Sequence, residues 1–369
     1  MAKTIFKHNE IIIFLGAGAS VEAGIPDSQD MLRQIEKKIC SEDENWSRHR
    51  DLYRYIRSSV FYADGLEGKW GNDVHFNIER LVNVLDELIK KERHTLYPFV
   101  GAWNPKLLEV AGNEGFDQVR ELKKKILNVL IKQWLPLQEV EKADYYSGLL
   151  QFQGEYQYPL RIFSLNYDLC VEKVCGINRV QRGFIDRTWD WRQFDETSDD
   201  PPPLMLYKLH GSVDWFFAED HRVMFSDSVS LIQDDEIALI FGTSYKLQYV
   251  DPFLFLAYEL RRWSLDATRA IVCIGYGFND KHINGILGQS LRSDSKRRLL
   301  VVTGPSEDEM EQQSKEESIV NSLNADKTQI EVQACGAKEF LNERLTLAYL
   351  SRFFPPEEDL FGEMSDDDL

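Results

Sequence analysis

Four short apolar runs in the sequence are each followed directly by small or polar residues that could do chemistry. The four clusters are Gly16-Ala17-Gly18-Ala19-Ser20, Asn166-Tyr167-Asp168, His210-Gly211 and Gly275-Tyr276-Gly277-Phe278-Asn279-Asp280. The carboxyl ends of parallel strands meet at one edge of a sheet, where α/β proteins bind their ligands. We therefore expect the four clusters to lie at a common edge, although each of them alone could be purely structural.

The glycine turn is the most informative of the four clusters. Five apolar residues, Ile11 to Leu15, predict a strand buried on both faces, and the small residues that follow let backbone N–H groups approach an anion. The dinucleotide pattern G-x-G-x-x-G would need a third glycine where Val21 stands. A second corner follows at Gly24-Ile25-Pro26-Asp27. We interpret the stretch as a nucleotide-phosphate loop, with an ordinary tight turn as the alternative.

The remaining clusters would supply an amide from Asn166, a carboxylate from Asp168 and an imidazole from His210. These groups suit the cleavage of an N-glycosidic bond whose leaving group departs neutral, as nicotinamide does. That reaction needs a dipole or anion beside the developing oxocarbenium ion and a group that orients or deprotonates the nucleophile. Ser–His hydrolysis fits less well, because the sequence contains no G-x-S-x-G.

The length and composition of the chain disfavour several classes of function. The chain has 369 residues, which suggests two domains or one domain with a large insertion, and its formal net charge is −18, which disfavours intrinsic binding to nucleic acid. Its five cysteines are scattered without any C-x-x-C pair, so neither a disulfide framework nor a structural zinc site is indicated. With no signal-like N-terminal segment and no run of 18 apolar residues, we expect a soluble cytoplasmic protein.

Periodicity predicts an α/β protein, with a parallel sheet flanked by helices and a large helical insertion. We assign residues 1–28 and 155–350 to the nucleotide-binding domain and 29–154 to the insertion. Residues 182–203 are polar and are expected to form a surface loop, and residues 338–354 a closing helix. Residues 355–369 contain seven carboxylates and no basic side chain, which predicts a disordered tail, with an interaction arm as the alternative.

The order of these motifs resembles that of the sirtuin superfamily. The setting Lys208-Leu209-His210-Gly211-Ser212, the Asn-Tyr-Asp form and the segment 275–280 resemble the sirtuin-like domains of bacterial antiphage systems more than the protein deacetylases. The resemblance spans about residues 11–305 without the insertion. It implies a Rossmann-like domain, a parallel sheet flanked by helices, that binds NAD as substrate and cleaves it to nicotinamide and ADP-ribose.

The resemblance also implies roles for individual residues. Asn166 and His210 are the implied catalytic residues: Asn166 orients the nicotinamide ribose or the attacking water, and His210 is the polar or basic group at the ribose. The implied NAD-binding residues are Gly16, Ala17, Gly18, Ser20, Asp27, Asn166, Asp168, Gly275 and Tyr276.

Two departures from the deacetylase pattern favour hydrolysis over lysine deacylation. The four-cysteine zinc module of deacetylases is absent, so no zinc is expected. Ser28 and Gln29 stand where deacetylases usually have Phe-Arg, which changes the side chain that shields the reactive carbon and makes water access plausible.

The resemblance therefore implies an NAD+ glycohydrolase that acts as a gated, NAD-depleting effector in antiphage defence. It further implies a homo-oligomer and a HerA-type DNA-translocating ATPase as partner. Two alternatives stay open at this point. One is a non-catalytic scaffold subunit that senses NAD or ADP-ribose. The other is a nuclease component of the complex, which the net charge and the lack of a clustered acidic metal motif disfavour.

Overall fold

The computed structural model describes residues 6–71, 74–90, 105–112, 116–195, 201–232, 237–240, 251–306 and 308–354. Within these ranges no helix is long and apolar enough to span a membrane. The predicted acidic tail, residues 355–369, lies outside the described residues.

The described residues form twelve strands in two sheets. In chain order they are β1 (Ile11–Leu15), β2 (Leu160–Ser164), β3 (Val180–Gln181), β4 (Phe184–Ile185), β5 (Thr188–Trp189), β6 (Leu204–Lys208), β7 (Gly211–Phe217), β8 (Val223–Phe225), β9 (Ile237–Leu239), β10 (Ala270–Ile274), β11 (Arg298–Val302) and β12 (Ile330–Gln333). The larger sheet has seven strands in the order β12-β11-β10-β1-β2-β6-β3, and all of its neighbours pair in parallel. This sheet confirms the predicted α/β class with a Rossmann-like parallel sheet.

Strand β1 lies at the centre of the parallel sheet and is buried on both faces. Ile11, Ile13 and Leu15 point into one apolar core, where the segment 137–156 and the C-terminal residues 337–354 pack. Ile12 and Phe14 point into a second core on the opposite face. A strand covered on both faces reads as a continuous apolar run, so the absence of alternation in the sequence has a direct structural cause.

Some helices flank the two faces of the parallel sheet, and others form a separate layer at its edge. The helices are α1 (Ser28–Cys40), α2 (Glu44–Ser47), α3 (Arg50–Leu66), α4 (Ile78–Ile89), α5 (Pro105–Ala111), α6 (Asp117–Val129), α7 (Gly148–Tyr156), α8 (Cys170–Cys175), α9 (Phe253–Leu265), α10 (Lys281–Ser293), α11 (Glu309–Leu323), α12 (Ala337–Glu339) and α13 (Leu347–Leu350). Helices α1 to α6, here called the helical layer, share a third core that also contains Tyr167 and Val213. The helical layer is therefore packed against the turn that follows β2.

The smaller sheet was not predicted from the sequence. It is antiparallel, with the order β4-β5-β8-β7-β9, and two of its strands lie within residues 182–203. The expectation of a plain surface loop there was therefore wrong. These strands are only two residues long, and Trp189 packs against Phe194 and Trp215, so they are held by aromatic contacts rather than by a local periodic pattern.

The predicted closing helix over 338–354 is broken. Helix α12 runs into a π-helical turn at Phe340–Arg344, and the chain is non-helical at Leu345 (φ −73°, ψ 85°). Thr346 then caps α13, because its side chain accepts a hydrogen bond from the N–H of Tyr349 at 3.1 Å. Ser/Thr caps of this kind start a new helix, so the single apolar stripe in the sequence covers two short helices.

Candidate functional site

The four clusters follow strands that are neighbours in the parallel sheet, β10, β1, β2 and β6. Hydrogen bonding continues one residue beyond each strand. Leu165 N–H donates to Leu15 O and Leu209 N–H donates to Ser164 O, both at 2.9 Å, while Gly16 N–H donates to Ile274 O at 2.9 Å. The polar residues of all four turns therefore begin at the same level of one sheet edge.

The glycine turn packs backbone to backbone on the turn after β10. The N–H of Gly18 donates to Gly275 O at 2.9 Å, and a Cβ on Gly18 would lie 2.8 Å from Gly275 Cα. Gly275 has φ +65°, and a Cβ there would lie 2.1 Å from Ala19 N. Both turns need glycine for this approach, whether or not a ligand is bound.

Three N–H groups of the glycine turn already have protein acceptors. Those of Gly16, Gly18 and Ala19 donate to Ile274 O, Gly275 O and Gly16 O, each at 2.9 Å. Ala17 is exposed and Gly18 partly exposed. A 3₁₀ helix, Ala17–Ala23, begins directly after β1 and Gly16. The glycine turn is therefore the start of a short helix, and not a loop in which every backbone N–H is available to an anion.

Ser20 is the centre of a buried hydrogen-bond network. Its Oγ donates to Asp168 Oδ2 at 2.7 Å, and it lies 3.1 Å from Asn166 Nδ2, which donates to it, and 2.8 Å from the hydroxyl of Tyr146. The residue is only 1% exposed. This network fixes the amide of Asn166: its nitrogen is held by Ser20, while its Oδ1 is buried and has no hydrogen-bond partner among the described residues.

Asp168 uses both carboxylate oxygens within the protein. Oδ2 accepts from Ser20, and Oδ1 accepts from the N–H of Cys170 at 3.0 Å, at the start of α8. Burial, followed by the nearby charge of Asp168, raises the pKa of the Cys170 thiol well above its usual range. Cys170 is thus an inert core residue beside the network, in agreement with its placement in the first apolar core.

A cluster of buried charged side chains contacts the turn that follows β2. Arg182 lies 2.7 Å from Asp214 and 3.6 Å from Glu172, and Lys208 lies 3.4 Å from Glu172. Lys208 Nζ also donates to the backbone carbonyl of Asp168. Burial alone would lower the pKa of Arg182, but the carboxylates of Asp214 and Glu172 outweigh it and raise that pKa. Two cations and two anions balance, which is what a buried cluster of charges requires.

His210 is 4% exposed and faces a carboxylate. Its Nε2 lies 3.6 Å from Asp280 Oδ2, and its Nδ1 is buried with no hydrogen-bond partner among the described residues. Gly211, which follows it, has φ +85°, and a Cβ there would lie 2.2 Å from Ala238 O. Glycine at this position is required for the chain to leave β6 and enter β7 directly after the histidine.

Tyr167 links this edge to the helical layer. Its hydroxyl lies 2.8 Å from Ile240 O and 3.3 Å from Glu79 Oε1 of α4, and its ring centroid lies 6.3 Å from that of His210. Burial, and then the charge of Glu79, raise the pKa of Tyr167 well above its usual range, so the phenol is neutral. Glu79 has no sequence signal that would have predicted its place here.

Two predicted NAD-binding residues serve evident structural purposes. Asp27 caps α1, since its Oδ1 accepts from the N–H groups of Gln29 and Asp30 at 2.9 and 2.8 Å. Tyr276 is 7% exposed, its hydroxyl donates to Asn284 Oδ1 at 2.7 Å, and its ring packs on Phe14. Their roles toward NAD stay predictions.

The structure thus brings two groups of predicted residues to one edge without joining their side chains. Ser20, Asn166 and Asp168 form one hydrogen-bonded group. His210 belongs to the other, with Asp280 and Tyr167. Sequence reasoning missed Tyr146, Glu79 and the ionic cluster. The tyrosine pair at 145–146 was the one available signal, because a buried phenol needs a partner for its hydroxyl.

In the part of the chain that the structure describes, no group of three or more His, Cys, Asp or Glu side chains could hold a metal ion. The five cysteines are unpaired, and four of them are buried.

Comparison with known families shows that the second part of the chain is similar to one of them. Residues 160–326 match the family model described as a SIR2-like domain. The matched range begins at β2 and includes β6, β10 and β11, whereas β1 and the glycine turn precede it. Since β1 pairs with both β2 and β10, the glycine turn is built into the same sheet as the matched region. No curated protein matches the chain.

Proposed function

We propose that the protein is an NAD+ glycohydrolase that uses Asn166 and His210 to cleave NAD to nicotinamide and ADP-ribose. The observation that carries the proposal is a pair of polar atoms, Asn166 Oδ1 and His210 Nδ1. Both are buried, both are without a hydrogen-bond partner among the described residues, and they follow the adjacent strands β2 and β6. Buried polar atoms are nearly always paired, so unpaired ones at a sheet edge favour a missing ligand or water.

The chemistry follows from what each group can do. The glycosidic bond of NAD breaks with its electron pair going to nicotinamide, which leaves as a neutral molecule, and positive charge develops on the ribose. The fixed amide dipole of Asn166, with Oδ1 as its negative end, stabilises positive charge without reorganising, because Ser20 holds its nitrogen. His210 takes the proton of the water whose oxygen bonds to the ribose carbon, and releases it to solvent.

The glycine turn supports binding of the diphosphate. The exposed Ala17 lies at the start of the 3₁₀ turn, where its backbone N–H and the helix end favour an anion, and Gly18 lets the anion approach because it has no side chain. Hydrogen bonds of Gly16, Ser20, Asp168 and Gly275 shape this turn and the neighbouring one, and we propose that these residues line the bound NAD.

Burial of the site supports the idea of gating. Asn166 is 7% exposed and His210 is 4% exposed, so NAD must displace protein or water to reach them. We propose that the protein acts on the cytoplasmic NAD pool as an antiphage effector, as a homo-oligomer, and that a HerA-type ATPase opens the site. Motions that open a closed site to substrate or product set the turnover rate of many enzymes. The same burial also favours the second candidate, a subunit that binds NAD or ADP-ribose and does not turn it over.

Product analysis separates the two candidates. The purified chain is incubated with NAD, alone and with a candidate ATPase partner, and nicotinamide and ADP-ribose are quantified by chromatography. We expect both products in equal amounts, and a loss of at least about 100-fold in rate for Asn166→Ala and for His210→Ala. The matched controls, Asn321→Ala and His221→Asn, change exposed residues and should keep the parental rate.

The sensor candidate predicts a different result. NAD would raise the melting temperature of the protein, yet no nicotinamide would appear under any condition tested. Product formation that persists in both site variants would also exclude the proposed roles of Asn166 and His210, even though the protein would then be an enzyme.

A further inference from the structure

Asp280 is held in a fixed orientation by the helix that it caps. Its Oδ1 accepts from the N–H of His282 at 3.0 Å and of Ile283 at 3.4 Å, at the N-terminus of α10. The second oxygen, Oδ2, is the one that lies 3.6 Å from His210 Nε2. Asp280 is 5% exposed, so its carboxylate is shielded from water as well as close to His210.

The distance of 3.6 Å is longer than a hydrogen bond, but short enough for one to form with a small movement of the ring. Contacts within catalytic groups are often loose without substrate and tighten in the complex. The other nitrogen, Nδ1, has no partner among the described residues. The surroundings of the imidazole therefore distinguish its two nitrogens: one faces a carboxylate and the other does not.

The other titratable groups around the ring do not compete for Nε2. The ring of Tyr167 lies near the imidazole in a tilted arrangement, and Tyr276 lies on the same turn as Asp280. Burial raises the pKa of both phenols well above the usual range, so both are neutral. Glu79 contacts the hydroxyl of Tyr167 at 3.3 Å rather than the imidazole. Of these groups, Asp280 is the anion that the structure places against His210.

We propose that Asp280 is a positioning residue that keeps the proton of neutral His210 on Nε2 and so leaves the lone pair on Nδ1. This inference rests on the proposed function, because the lone pair on Nδ1 is the acceptor for the proton of the attacking water. In that step the water oxygen bonds to the ribose carbon, the glycosidic electron pair leaves with nicotinamide, and the water proton moves to Nδ1. Asp280 keeps its charge throughout and stabilises the imidazolium that forms.

Asp280→Asn tests the proposal with little change to the fold. Asparagine caps helices as well as aspartate does, so its Oδ1 can keep the two backbone hydrogen bonds. The amide NH₂ then replaces Oδ2 opposite His210, and because an amide nitrogen only donates, Nε2 must become the acceptor. We expect the proton to move from Nε2 to Nδ1, which ¹⁵N NMR of the histidine side chains reports in the protein without NAD.

The kinetic expectation follows from the tautomer. With Nδ1 protonated, His210 cannot accept the water proton, so kcat should fall by about 10²- to 10⁴-fold while KM changes less than about twofold. Asp308→Asn is the matched control: Asp308 caps α11 through a hydrogen bond to Glu311 N–H and is exposed, so the same substitution there should leave the tautomer and kcat unchanged. If Asp280→Asn lowers the urea midpoint, Asp280→Ser, which also caps, serves as second variant.

The outcomes separate this inference from the proposed function. A wild-type His210 that already carries its proton on Nδ1, or an Asp280→Asn variant with unchanged tautomer and kcat, would overturn the role of Asp280 and leave NAD cleavage intact. A tautomer shift in a wild-type protein that never cleaves NAD would uphold the pairing and overturn the proposed function. A fall in kcat together with the tautomer shift supports both.

Discussion

Gly18 and Gly275 are in direct backbone contact, with the Gly18 N–H donating to the Gly275 carbonyl oxygen at 2.9 Å. The contact joins the turns that follow β1 and β10, two neighbouring strands of the parallel sheet. It explains why small residues occur in both turns, although they are more than 250 residues apart in the sequence. The glycine pattern therefore reports the packing of two turns as well as the approach of an anion.

Gly275→Ala should destabilise the protein by more than the cost of placing alanine in a left-handed backbone conformation. At Gly275, φ is +65° and the new Cβ would lie 2.1 Å from Ala19 N, whereas at Gly304 φ is +84° and nothing lies within 4 Å of a new Cβ. We expect Gly304→Ala to cost about 1 kcal/mol and Gly275→Ala at least about 2 kcal/mol more, by urea unfolding. Equal losses would mean that the contact between the turns contributes nothing.

Removing the aspartate charge should lower the stability of the protein at a buried Arg–Asp pair but not at an exposed one. Arg182–Asp214 is 2.7 Å long with both side chains 5% exposed, while Arg222–Asp220 is 2.6 Å long with both side chains largely exposed. Asp214→Asn leaves Arg182 short of a charge partner and should destabilise the fold by about 3 kcal/mol. Asp220→Asn should have no measurable effect on the urea midpoint. A similar small effect for both would show that Glu172 alone suffices for Arg182.

The strands that carry the site could be predicted from the sequence because their pattern is local. Apart from Arg298, the strands Ala270–Ile274 and Arg298–Val302 consist of apolar residues and are followed by glycine or a polar residue, and the parallel sheet explains both features. Proximity of the four turns followed from the rule that parallel strands end at one edge. The rest of the site depends on contacts between residues that no local pattern relates.

Two such contacts illustrate the limit. Tyr146 reaches Ser20 across 126 residues, and Arg182 reaches Asp214 across 32, through side chains that would be unremarkable polar residues on a surface. The strands β4 and β5 of the smaller sheet were missed for a related reason, because strands of two residues are too short to show a period. Which nitrogen of His210 faces Asp280 also depends on tertiary structure, since the two residues are 70 positions apart.

His49 should make the protein less stable as the pH falls. It is fully buried, and burial together with Lys125 and Arg48 lowers its pKa from 6.5 to about 4. Between these values the unfolded chain binds more protons than the folded one, so stability is present above pH 6.5 and is lost toward pH 4. From pH 7 to pH 5 we expect this residue to account for about 2 kcal/mol of the loss in unfolding free energy.

Replacing the histidine isolates its contribution to that loss. Urea unfolding of His49→Gln at pH 7 and pH 5 should show a difference about 2 kcal/mol smaller than the parent shows. The exposed His221→Asn, which preserves a residue tolerant of φ +63°, should retain the parental difference. An unchanged pH dependence in His49→Gln would mean that folding does not lower the pKa of His49.

Two glycines in the same helix should respond to alanine with opposite signs. Both lie inside α10; nothing lies within 4 Å of a Cβ at Gly285, but a Cβ at Gly288 would lie 2.1 Å from Leu323 O, at the end of α11. Gly285→Ala should stabilise by about 0.5–1 kcal/mol, because alanine loses less backbone entropy in a helix. Gly288→Ala should destabilise by about 2 kcal/mol, since α11 must move away. Thermal unfolding of the two variants checks both signs, and a stabilised Gly288→Ala would show that α11 is not seated closely on α10.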